Sequence, residues 1–112
     1  MNIPTFADGS VQRRFMHDPG HGWLRVPLSD LDELGIRNKI TAYSYLDDRF
    51  AYLEEDCDYS TYINAMTEAG ISVIVKQAAG SSGPSSIRRK RSFSAPTEGP
   101  FAKLYANPQF HH

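Results

Sequence analysis

Apolar and polar residues alternate along much of the first two-thirds of the chain, and that alternation predicts its strands. Val11 to Met16 suits a strand, and Trp23-Leu24-Arg25-Val26 alternates as its return partner. His17-Asp18-Pro19-Gly20-His21-Gly22 between them reads as a turn, because Pro19 fixes its own φ and Gly20 and Gly22 accept positive φ. Helical spacing follows. Leu28, Leu31 and Leu34 share a face, Ser29 stands as N-cap with Asp32 and Glu33 behind it, and Gly35 ends the helix. Lys39 to Leu46 alternates again, with Ile40, Ala42 and Ser44 opposite Thr41, Tyr43 and Tyr45. Asp47-Asp48 then turns the chain into a strand over Arg49 to Glu54. Phe50, Tyr52 and Glu54 lie on one side of it and Ala51 and Leu53 on the other. A second helix begins at Asp58 or Ser60, carries the stripe Tyr59, Tyr62, Ile63 and Met66, and stops near Ala69 before Gly70. The β-branched run Ile71 to Val75 is a further strand.

The order ββ-α-ββ-α-β predicts an α+β fold, a small antiparallel sheet with two short helices on one face. Residues 1–10 read as a loose N-terminal arm and residues 11–79 as the α+β domain. Residues 80–94 read as a loop and a basic segment, and residues 95–112, with Pro96, Pro100 and Pro108, as an irregular tail. Ile87 to Ser94 fits either an extra edge strand, whose charges discourage further pairing, or a disordered arm.

Composition changes this picture mainly through charge. Residues 28–68 hold ten of the thirteen acids and only three of the twelve basic residues, whereas residues 76–112 hold six basic residues against Glu98. The net charge of -1 hides both. Charge sorted in this way points to two surfaces with different surroundings. A chain of 112 residues is one domain, and its single Cys57 excludes an internal disulfide and fits a reducing compartment. Met1 to Thr5 lacks the charged head and apolar run of a signal peptide, and no stretch reaches the length of a membrane span. The expected setting is therefore cytoplasmic, without a membrane partner. His111 and His112 are given no role.

Three constellations carry candidate chemistry. His17, Asp18 and His21 offer imidazole and carboxylate ligands that suit zinc or manganese, although the spacing on a turn is not an established ligand motif. Read as local structure, Asp18 bonds a backbone N–H and the histidines are partly exposed. Glu54, Glu55 and Asp56, followed by Cys57 and Asp58, form an acidic run where a strand gives way to a helix. Such a run can do acid/base work or hold Mg²⁺, but capping and a solvated acidic surface facing a basic protein explain it as well. The acids should also raise the Cys57 thiol pKa, the wrong direction for a nucleophile. Arg88, Arg89, Lys90 and Arg91, with Phe93 as a stacking face, suit phosphate contacts; the same run can dock on an acidic surface of this chain or of a second copy. The expectation is no cofactor, with a metal ion at the histidine turn as the exception.

The segments His17 to Pro27, Leu34-Gly35-Ile36, Lys39-Ile40, Tyr43-Ser44-Tyr45, Tyr52 to Asp58 and Ser86-Ile87-Arg88 together resemble a family of small, uncharacterised proteins carried by bacteriophages, plasmids and other mobile elements. The likeness covers residues 15–94, and Gly-His-Gly-Trp-Leu with Tyr-Leu-Glu-Glu-Asp-Cys-Asp is its distinctive pair. The resemblance implies a bacterial or phage setting and an accessory role; it brings no activity and no catalytic residue. The resulting expectation is a non-enzymatic accessory protein that binds a host or phage macromolecule, foremost a basic protein met by Glu54, Glu55 and Asp56 and alternatively nucleic acid met by residues 88–91, in countering or tuning host defence. One rival is a metal-dependent hydrolase or nuclease, which requires the 17–21 turn to meet the 54–56 carboxylates. The other is a nucleic-acid-binding module led by residues 88–91. A homo-oligomer would join acidic 54–58 to basic 88–91.

Overall fold

The alternating segments become strands and the helically spaced ones become helices. In the computed structural model, which describes residues 2–78, 80 and 85–93, these are β1 (Ser10–His17), β2 (Gly22–Pro27), α1 (Leu28–Leu34), β3 (Tyr45–Leu46), β4 (Phe50–Glu54), α2 (Asp58–Glu68), β5 (Ser72–Gln77) and β6 (Arg91–Ser92). Short 3-10 turns occupy Arg37–Lys39 and Ser86–Arg89. The expected tail over 95–112 and most of the loop before Ser85 lie outside the described residues.

One six-stranded sheet runs in the order β5-β1-β2-β4-β3-β6. The α+β class is as expected, but the sheet is mixed: β1 and β5 pair in parallel, from Ser10 opposite Ser72 to Phe15 opposite Gln77. The connection is the cause. α2 carries the chain back from the end of β4, so β5 runs in the same direction as β4, which is also the direction of β1 at the free edge.

Both helices cover one face of this sheet. Val11, Phe15, Leu24, Val26, Ala51 and Leu53 point into that layer and meet Leu31 of α1 and Tyr62 and Met66 of α2. A polar network crosses the layer: Arg13 pairs with Asp30 at 2.8 Å, and Tyr62 Oη donates to the same Asp30 oxygen at 2.6 Å. The opposite face holds a second, smaller cluster of Trp23, Tyr52 and Ile87, flanked by Met16, Tyr45 and Phe50.

Four local expectations are corrected. The N-cap of α1 is Pro27 rather than Ser29, and no side chain caps it. Cys57 is the N-cap of α2, because the Asp58 carboxylate is turned away to accept from Thr41 N, Thr41 Oγ1 and Ser44 Oγ. Those same bonds prevent a strand over 39–46. Thr41 and Ser44 satisfy themselves on Asp58, and only Tyr45–Leu46 pairs with β4. The N-terminal arm is also partly anchored, since Ile3 is buried in the helix-side core and Asn2 N–H donates to Glu33.

Candidate binding surface

The face of the sheet away from the helices is divided in two. Over β2, β4 and β3 it is covered by residues 86–90, which act as a strap leading into β6. Ile87 is 4% exposed, seated on Trp23 and Tyr52. Arg88 reaches across to Asp18, with Nε 2.7 Å from Oδ2 and Nη2 3.0 Å from Oδ1. Its guanidinium lies 5.5 Å from the Trp23 ring centre and donates to His21 Nδ1 at 2.8 Å. Lys90 bonds Asp47 at 3.2 Å and lies over Tyr52 at 4.9 Å.

Asp18 is thereby saturated. It accepts from the backbone of Gly20, His21 and Ser85 as well as from Arg88, and its side chain is 1% exposed. The hydrogen bonds from Arg88 and then from Ser85 hold this carboxyl well below the usual carboxylate range. Asp47 is also held low. Burial opposes its charge, but Tyr52 Oη, the Phe50 and Arg49 N–H groups and Lys90 all donate to it and prevail. Burial, followed by the bond to Asp47, pushes Tyr52 up to about 12.

The histidine turn and the acidic run do meet, since Glu55 N–H donates to Gly22 O at 3.0 Å and Trp23 pairs with Glu54. Their side chains do not converge. Asp18 is occupied by Arg88, His21 stacks on Trp23 at 5.9 Å, buried Glu54 accepts from Asp56 N–H, and Asp58 serves the 41–44 loop. Among the described residues no three His, Cys, Asp or Glu side chains gather as a metal site. Burial, with Glu54 and Asp58 nearby, raises the Cys57 thiol pKa, the direction expected from its neighbours. Glu55 and Asp56 remain exposed.

The basic run does not form one surface. Arg88 and Lys90 are docked on the chain's own acids, Arg89 is exposed, and Arg91 faces the helix side beside Leu46 and Asp48. Phe93 is not a stacking face, because it packs against the helix-side core and its N–H donates to Ser44 O.

Among the described residues the other half of this face is open and cationic. Arg14 on β1 stands opposite Arg25 on β2 and Lys76 on β5, so three cations form one row across three strands. Arg14 and Lys76 are exposed; Arg25 is half-buried with its guanidinium 4.6 Å from the Phe50 ring centre. None of the three forms an ion pair among the described residues. The residues outside the described set bring only Glu98 as an acid, against Lys103.

No family model, curated protein or solved structure matches this chain. Its surface chemistry is therefore the guide to function. Sequence reasoning passed over Arg14, Arg25 and Lys76 because they are scattered singly through apolar strands. The hairpin alternation could have placed Arg14 beside Arg25; Lys76 joins them only through the parallel pairing of β5.

Proposed function

We propose that this protein is a non-enzymatic accessory protein of a phage or mobile element. In this reading it acts in the bacterial cytoplasm and binds an anionic macromolecule through the open half of its sheet. The observation that carries this is the row Lys76, Arg14 and Arg25. Like charges opposite one another on neighbouring strands destabilise a sheet, so the row opposes folding and a polyanion would relieve it. The candidate acids favour binding over catalysis, because Asp18, Glu54 and Asp58 are engaged in holding loops and strap together. The resemblance to proteins of mobile elements supports the accessory role in a bacterial or phage setting, and countering or tuning host defence is the role proposed within it.

Retention on immobilised heparin under a rising salt gradient tests the reading. The wild-type chain should be held despite its net charge of -1. The double variant R14Q/K76Q should elute at clearly lower salt with an undiminished melting temperature. Identical elution of the two proteins would remove the reading.

A further inference from the structure

We infer that the row Lys76, Arg14 and Arg25 is a phosphate track for a single strand of nucleic acid, laid across the strands of the open half-sheet. This rests on the proposed role of that face as a polyanion surface and names the ligand.

The geometry favours this ligand in three ways. First, the row is linear. Neighbouring strands lie about 4.8 Å apart, so three adjacent positions span roughly 10 Å of regularly spaced positive charge, which suits a regular array of phosphates. Arg25 is preset in this row by its contact with Phe50, which leaves the guanidinium edge free to donate.

Second, the next row along the strands has the opposite character. Two positions away, roughly 7 Å, Ile74 lies opposite Gln12 on one side and Pro27 opposite Phe50 on the other. Ile74 is 39% exposed, Gln12 is exposed, and Pro27 and Phe50 are half-buried. Phosphates over the cation row would therefore place bases over an apolar row that contains one amide able to bond base edges. The strap, on the far side of the cation row over Trp23, walls the track.

Third, the shape and size argue against the alternatives. Among the described residues this half of the face is built from strands, and both α-helices, the elements that could enter a duplex groove, lie on the opposite face. Gln12, Arg14, Arg25, Ser72, Ile74 and Lys76 lie on this side of β1, β2 and β5, a small patch among the described residues. A standard protein interface takes roughly 20 to 30 residues a side.

The test is fluorescence anisotropy with labelled oligothymidylate and oligouridylate of about twelve nucleotides, alongside a duplex and poly-glutamate of similar length. The single strands should bind more tightly than either competitor, with affinity falling at a log–log salt slope of about −2, as three single-strand phosphate contacts require. R14Q and K76Q should each weaken binding about tenfold and flatten the slope by about 0.7. I74S should weaken it about threefold with the slope unchanged. K39Q removes the same charge on the helix side and should bind as wild type. Melting curves of the same variants show whether they fold, and relief of like-charge contacts should leave R14Q at least as stable as wild type. Duplex or poly-glutamate bound as tightly as the single strands would overturn the inference. If that binding still needs Arg14 and Lys76, the polyanion reading survives; binding indifferent to both residues ends both.

Discussion

Asp30, Asp18 and Asp58 each fasten distant parts of the chain with several hydrogen bonds. Asp30 joins α1 to Arg13 of β1 and to Tyr62 of α2. Its side chain is 4% exposed, so loss of a donor leaves a buried charge less well solvated. Tyr62→Phe keeps the ring in the core and deletes only the hydroxyl that donates to Asp30. It should cost about 1 to 3 kcal/mol in an equilibrium urea titration, without changing the slope of the transition. A midpoint equal to wild type would show that Arg13 alone suffices. Gly22 illustrates the opposite constraint, because a Cβ there would run into the Phe15 ring. That glycine serves a close approach between β1 and β2.

The strap is the element whose behaviour matters most for the binding face. It rests on one apolar anchor, Ile87, and two cations, Arg88 and Lys90, that lie over aromatic rings and bond to carboxylates. The cluster beneath it is much smaller than the helix-side core. Regions with few buried apolar contacts open at lower free energy than the whole molecule. The amides of Arg88, Lys90 and Phe93, which bond Ser85, Ile87 and Ser44, should therefore exchange with solvent before those of β1 and β2. Ile87→Ala should hasten that exchange, cost about 2 kcal/mol, and shift Trp23 emission to the red as the indole gains water. Unchanged emission would mean that Arg88 and His21 shield the indole without Ile87.

At the scale of the whole molecule, titration sets two limits on stability. Asp18 and Asp47 are held below the ordinary carboxylate pKa of about 3.9. A depressed folded pKa gives stability that is present above the unfolded value and lost as pH falls toward the folded one. The acid limb should therefore begin below about pH 4, and the strap should stay docked above it. Tyr52, raised to about 12, and Tyr62, raised further by burial and then by Asp30, act at the other end. A raised folded pKa gives stability that is complete below the unfolded value of about 10 and lost as pH climbs through the folded one. A plot of melting temperature against pH should show a plateau between these limbs. Asp47→Asn should flatten the acid limb and Tyr62→Phe the alkaline one. Limbs that persist unaltered in both variants would show that other groups govern them.

The local sequence determined the elements that depend on near neighbours. Alternation fixed β1, β2 and β4 and the sides on which Phe50, Tyr52, Ala51 and Leu53 lie. Glycines at positive φ ended both helices, at Gly35 and Gly70. The stripe of Tyr59, Tyr62, Ile63 and Met66 faced the core as its spacing requires. Whatever depended on partners remote in sequence was decided by the tertiary structure. Asp58 drew Thr41 and Ser44 out of an alternating segment that would otherwise read as strand. Asp18 read as a backbone acceptor in its turn, with a metal ligand as the alternative; it does accept from Gly20 and His21 N–H, and it also anchors Arg88, seventy residues away. The basic run at 88–91 read as one surface but was divided between the two faces of the sheet. The cation row joins two residues of one hairpin, Arg14 and Arg25, to Lys76, which only the parallel pairing of β5 brings beside them. Periodicity records which side of its own element a residue occupies. Which charges become neighbours depends on strand order and register, and these follow from packing the whole chain.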